Sequence, residues 1–86
     1  MNYQEKGELL KALGHPVRLK MVEGLMKNEC NVNKIVKVLN LPQSTVSQHL
    51  GILRKSGVLQ AHKQGVKTSY CVIDKKIKEI LRILKK

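Results

Sequence analysis

Apolar residues recur about every 3.6 positions in four successive segments, and each segment is bounded by residues that are common at helix ends. Pro16 and Pro42 fit the first turn of a helix, Asn31 fits an N-cap, and Gly14 fits a helix end. This pattern predicts helices over about residues 5–13, 16–27, 31–40 and 42–56. Only the short connection "NLP" separates the third helix from the fourth.

The period changes after the fourth helix. The segments "VLQAHK" from Val58 and "KTSYCVI" from Lys67 are rich in β-branched and aromatic residues, and Gly65 lies between them, so a β-hairpin is predicted over about 58–73. Asp74 is a suitable N-cap for a last helix over about 74–86. The 86 residues therefore predict a single, mainly α domain with the order helix, helix, helix, helix, strand, strand, helix.

The charge balance points to a polyanionic partner. The chain has 17 Lys and Arg against six Asp and Glu, which gives a formal charge of +11 and a pI near 10.0. Nucleic acid is the favoured partner; an anionic membrane and an ordinary solvated basic surface are the alternatives. The chain has no long apolar run and no signal peptide, so we expect a cytoplasmic protein without a membrane partner, whose two cysteines are thiols by default.

The N-terminal half of the fourth helix is unusually polar. Helix propensity does not account for this, because Ser and Thr compete with the helical backbone for hydrogen bonds. A short helix, a tight connection and a polar second helix are typical of a helix-turn-helix, whose second helix enters the major groove of DNA. Gln can bond adenine, and Ser or Thr can bond bases or phosphates. The predicted DNA-reading residues are Gln43, Ser44, Thr45, Ser47, Gln48 and His49, and the alternative is a solvated face.

A hairpin that follows such a unit forms a wing, whose tip can reach the neighbouring DNA backbone. Lys63, Gln64 and Lys67 flank Gly65 and are predicted to contact phosphates. The alternative is that a basic loop is simply common in a basic protein.

Three separated segments carry a recognisable pattern: "LKALGHPVRLKMVEGL", "LNLPQSTVSQHLGILRKSGVL" and "QGVKTSYCV". Together they resemble the ArsR/SmtB family of winged-helix transcriptional repressors. The resemblance covers nearly the whole chain and implies a winged helix-turn-helix, a homodimer, and repression by binding double-stranded DNA at an inverted-repeat operator. The family pairs its first and last helices across the two-fold axis. The dimer-interface candidates are Leu9, Leu10, Leu13, Ile77, Ile80, Leu81 and Leu84.

The chain departs from the family's metal-sensing motifs. Where the family has "ELCVCD", this sequence has "ECNVNK", with Asn31 and Asn33 at the two cysteine positions, and the last helix contains no His. No metal, cofactor or small-molecule ligand is therefore predicted.

Control through the cysteines stays open as a second possibility. Cys30 precedes a helix N-terminus and has lysines nearby, which favours a thiolate, so Cys30 and Cys71 are candidate thiol sensors. Family members that sense persulfides or oxidants carry one cysteine in the second helix and one in the last, whereas Cys71 lies in the second predicted strand. The two alternatives are a ligand-independent repressor and a redox- or persulfide-sensing one.

The sequence does not favour an enzyme. It has no phosphate-binding glycine loop, no local Ser/His/Asp signature and no paired carboxylates in an apolar setting. The remaining rival to a repressor is a winged-helix module that binds protein or RNA.

Overall fold

Five helices and one β-hairpin follow one another in the predicted order. The computed structural model describes residues 1–28 and 30–85. The helices are α1 (Tyr3–Leu13), α2 (Pro16–Lys27), α3 (Val32–Leu39), α4 (Gln43–Lys55) and α5 (Lys75–Leu84), and the strands are β1 (Gln60–Gln64) and β2 (Lys67–Cys71).

Side-chain caps set most of the helix starts. The predicted caps Asn31 and Asp74 are confirmed, since Asn31 accepts from the backbone N–H of Lys34 and Asp74 from that of Lys76. Asn2 caps α1 by accepting from the N–H of Glu5 over 3.1 Å, so this helix begins at Tyr3, earlier than predicted.

The hairpin is shorter than the sequence pattern indicates. The residues Val58 and Leu59 belong to the turn that ends α4, because both of their N–H groups bond the carbonyl oxygen of Leu53 and both side chains are buried. At the other end β2 stops at Cys71, and Val72 is buried in the core. The apolar residues at the two ends of the predicted hairpin are therefore buried in the core and do not extend the strands.

One aliphatic core joins all the helices to the base of the hairpin. No polar or charged side chain of residues 1–28 and 30–85 is buried in it. Its members are Ala12, Leu13, Met21, Val22, Leu25, Ile35, Val46, Leu50, Leu53, Val58, Leu59, Val72, Ile77 and Leu81. In this core α2 and α3 approach closely at Gly24, where a β-carbon would lie 2.5 Å from Cδ1 of Ile35.

The connection from α3 to α4 is a tight turn. Asn40 ends α3 in the left-handed conformation, with φ of 52°, and Pro42 precedes the first turn of α4. Pro42 is therefore the N-cap residue of α4, and the prediction that it is the first helical residue is wrong by one position. The α3–turn–α4 unit followed by the hairpin is a winged helix-turn-helix, as predicted. None of the helices formed by the described residues is long and apolar enough to cross a membrane.

Candidate nucleic-acid interface

Helix α4 has an apolar face and a polar face. Val46, Leu50 and Leu53 are buried in the core, as their i, i+4, i+7 spacing predicts. Thr45 is half-buried. The exposed polar residues in the N-terminal half of the helix are Gln43, Ser44, Ser47 and Gln48. One helix thus packs on the core and still offers hydrogen-bonding side chains to a groove.

The wing ends in a two-residue turn. Gln64 pairs with Lys67 at the end of an antiparallel ladder that begins at Gln60 and Cys71. Gly65 adopts a φ of +62°, which glycine accommodates without a steric penalty in such hairpin turns. Lys63, Gln64 and Lys67 are exposed around this turn, and the side chain of Val66 at the tip is fully exposed.

Negative charge is absent from the whole helix-turn-helix and wing. Residues 30–73 contain no Asp or Glu, although the chain has six acidic residues elsewhere. The Lys and Arg residues of this range are all exposed: Lys34, Lys37, Arg54, Lys55, Lys63 and Lys67. No carboxylate within this unit therefore opposes a phosphate backbone.

A disulfide fastens the wing beside the start of α3. Cys30, in the turn after α2, is bonded to Cys71 at the end of β2, and their Cα atoms are 5.0 Å apart. The expectation that both cysteines are free thiols is therefore wrong for this structure. The pairing follows from the packing of the hairpin alongside α3, since the two cysteines are 41 positions apart in the sequence.

His49 differs from the other residues of the polar group because its ring contacts the protein itself. Nη1 of Arg18 lies 3.3 Å from Nδ1 of His49, and the ring centroids of His15 and His49 are 4.8 Å apart. Burial lowers the pKa of His49 below its ordinary value of 6.5, and electrostatic repulsion from His15 and Arg18 lowers it further. Arg18 is not among the residues predicted from the sequence. The signal that could have found it is a charged residue between Val17 and Leu19 in the apolar stripe of α2.

The dimer-interface candidates fall into two groups. Leu13, Ile77 and Leu81 are buried inside the chain, so they support the terminal helices from the core and have almost no surface left for a partner. A direct contact of these residues with a second copy stays a prediction, because periodicity alone does not separate a core stripe from an interface stripe. Leu9 and Ile80 are half-buried, while Leu10 and Leu84 are 56% and 61% exposed.

The fold, the polar α4 face and the acid-free basic surface define a winged helix-turn-helix protein of the DNA-binding type. Residues 15–61, more than half of the chain, match the model of the bacterial regulatory protein, arsR family. The chain belongs to this family, as the resemblance implied.

Similar proteins agree in sequence and in fold. The transcriptional repressor PagR of Bacillus anthracis is 42% identical over 85 residues, covering 98% of this chain and 85% of PagR. Its crystal structure superimposes with a TM-score of 0.86 over 98% of this chain and 97% of that one. HlyU from Vibrio cholerae is 31% identical, with a TM-score of 0.85 and coverage of 96% and 90% of the two chains.

A more distant structure shares the fold alone. It is the homodimeric winged helix-turn-helix DNA-binding domain of a possible ArsR-family regulator from Mycobacterium bovis, at 21% identity and a TM-score of 0.82, covering 95% of this chain and 76% of that one. The relatives named by function are transcriptional regulators rather than enzymes.

Proposed function

We propose that this protein is a sequence-specific transcriptional repressor that acts in the cytoplasm and reads operator DNA with the exposed polar residues of α4. The observation that carries the proposal is the combination, on one acid-free unit, of exposed amide and hydroxyl side chains on α4 and lysines on the wing. The amides and hydroxyls supply base readout and the lysines supply phosphate contacts. The similarity to a named repressor supports this choice.

We propose further that two copies bind an inverted repeat. Leu10 on α1 and Leu84 on α5 keep large exposed apolar surfaces, whose burial against a second copy is favourable. A two-fold dimer sets its two copies of α4 about one DNA turn, roughly 34 Å, apart. The homodimeric state of the Mycobacterium bovis domain supports the same arrangement.

Selection from random duplexes, followed by footprinting, tests both parts. We expect recovery of an inverted repeat, protection of two half-sites centred about one helical turn apart, and two chains per duplex in sedimentation. Binding without sequence preference would overturn the proposal and favour a winged-helix module for protein or RNA. One chain per half-site on a directly repeated sequence would overturn the two-fold dimer alone.

The wing contact has its own signature in the salt dependence of binding. If Lys67 meets a phosphate, Lys67→Ala will weaken binding to operator and to unrelated DNA alike. It will also reduce the slope of log K against log salt by about one unit, because one counterion fewer is released. The matched control is Lys78→Ala, which removes an exposed lysine of α5. A slope unchanged by Lys67→Ala would remove the wing from the DNA interface.

Thiol-based control is a second proposal, and the disulfide favours it. In a reducing compartment the default state of Cys30 and Cys71 is the dithiol, so their disulfide reports an oxidised state of the protein. The bond joins the turn before α3 to the strand that carries the wing, which places a redox-dependent link inside the DNA-reading unit.

A further inference from the structure

Arg18 links three helices through its guanidinium group. Nε donates to the carbonyl oxygen of Ala12 near the end of α1 over 2.6 Å, while Nη1 reaches Nδ1 of His49 on α4 at 3.3 Å. All the groups involved are partly buried. Arg18 itself lies in the first turn of α2, so its side chain connects α1, α2 and α4.

The contact between Arg18 and His49 requires a neutral histidine. A guanidinium has only donors, so Nδ1 of His49 must accept and the ring proton must reside on Nε2. A protonated imidazole has donors at both nitrogens and offers Arg18 no acceptor. It would also place a second positive charge beside the guanidinium.

Among residues 1–28 and 30–85, no negative group is in direct contact with His49 or Arg18 to compensate such a charge. From the turn before α2, His15 faces His49 with its ring, and its Nδ1 accepts from the N–H of Val17. From α1, the group in contact with Arg18 is the carbonyl of Ala12. The cleft that Arg18 lines also contains three charged side chains, Glu8, Lys11 and Lys55.

The position of His49 on α4 makes this contact relevant to DNA reading. It follows Gln48 directly and lies two residues after Ser47, both of which are exposed. The start of α4 has no side-chain cap, and its buried residues Val46, Leu50 and Leu53 make apolar contacts that are not directional. The hydrogen bond from Arg18 to His49 is directional, so it restricts rotation of α4 about its own axis.

We propose that Arg18 and His49 are positioning residues for operator binding, and that protonation of His49 weakens this binding by releasing α4 from Arg18. The inference rests on the proposed function, because it concerns how α4 is aimed at the operator. Burial, together with electrostatic repulsion from His15 and Arg18, lowers the pKa of His49, which favours the neutral ring and the contact at neutral pH. It is lost as the pH falls below about 6.5, through the lowered pKa of the folded protein.

The lowered pKa of His49 also makes the stability of the folded protein depend on pH. Below about pH 6.5 the unfolded chain protonates His49 more readily than the folded chain does. The free energy of unfolding therefore decreases as the pH falls through this window. Binding must consequently be measured where thermal unfolding shows that each variant remains folded.

Replacing His49 by asparagine separates the effect of protonation from the effect of losing the hydrogen-bond acceptor. Its side-chain oxygen offers an acceptor close to the place of Nδ1, and it does not titrate. A second histidine, His62, is exposed on the wing beside Lys63, close to the proposed phosphate contacts. We therefore place every variant in a His62→Asn background.

The experiment measures the affinity of the selected operator duplex at pH 7.5 and pH 5.5, at constant ionic strength. In the His62→Asn background, we expect affinity to fall about two- to fivefold on acidification, because the lowered pKa of His49 limits how far it protonates at pH 5.5, and adding His49→Asn should remove most of this fall. At pH 7.5, His49→Ala and Arg18→Lys should each lose about five- to tenfold, and His49→Asn should restore most of the loss. Lysine keeps the charge of Arg18 but lacks its fork of donors.

Three outcomes would count against the inference. Equal pH profiles with and without His49→Asn would overturn it while leaving the operator binding intact. Equal affinity of His49→Ala and His49→Asn at pH 7.5 would show that the acceptor does not position α4. Absence of any operator preference at pH 7.5 in the unsubstituted chain would instead overturn the proposed function, and the inference with it.

Discussion

Replacing Gln43 and Ser47 together by alanine will lower operator affinity by at least about 30-fold, while affinity for unrelated duplex DNA will change little. Each base contact that is lost costs roughly 1 to 3 kcal/mol, and a loss of about 2 kcal/mol already corresponds to a factor of roughly 30. Both side chains are exposed, whereas Val46 and Leu53 of the same helix are buried. The substitutions therefore remove hydrogen-bonding groups without opening the core.

Competition binding with operator and scrambled duplexes measures this effect. The matched control is Gln60→Ala, because Gln60 is an exposed glutamine at the end of β1 away from the wing tip. Thermal unfolding should be nearly the same for all these proteins, since alanine favours a helix at least as well as Ser or Gln. An equal loss for operator and scrambled DNA would show that the two residues do not read bases.

Reduction of the disulfide is expected to lower the free energy of unfolding by about 2 to 4 kcal/mol. The bond closes a loop between residues 41 positions apart, and in the chain-entropy account a loop of this length contributes about 4 kcal/mol. The chain is only 86 residues long, and small domains have modest stability, so this is a large share of the total. Urea unfolding with and without a thiol reductant measures it.

Operator affinity should fall together with stability on reduction. The wing stays paired through the ladder from Gln60 to Gln64, but it is no longer fastened to the turn before α3. Ordering the wing on DNA then costs conformational entropy that the oxidised protein has already lost. We expect oxidised protein to bind several-fold more tightly than reduced protein, mainly through phosphate contacts.

Cysteine variants provide the controls for this experiment. Cys30→Ser and Cys71→Ser should each resemble the reduced protein, and neither should respond to oxidant or reductant. If oxidised and reduced protein bind the operator equally, the disulfide has a structural role only and the repressor is ligand-independent. If the reduced protein binds more tightly, control by the thiols is still supported, but ordering of the wing by the disulfide is not the mechanism.

Most of the architecture follows from local sequence rules. The i, i+4, i+7 spacing of Val46, Leu50 and Leu53 predicts the buried face of α4, and Asn31 and Asp74 predict two helix starts through their caps. These features depend on neighbours within a few residues. For the same reason the polar face of α4 is visible in the sequence, since it is the complement of the apolar one.

The sequence pattern is wrong or ambiguous where a residue's role depends on distant packing. Val58 and Leu59 have β-forming side chains, yet the core and the carbonyl of Leu53 hold them in the turn after α4. Leu13 and Ile77 fit an interface stripe as well as a core stripe, and only the packed chain shows that they are buried within it.

The sequence by itself determined the order of the elements, the family, and the polar, acid-free character of the helix-turn-helix and wing. It could do so because periodicity, capping and charge are properties of neighbouring residues. Only the tertiary structure decided that Cys30 meets Cys71 and that Arg18 meets His49. Each of these pairs is separated by 31 or more positions, and a contact at that distance exists only once the helices have packed.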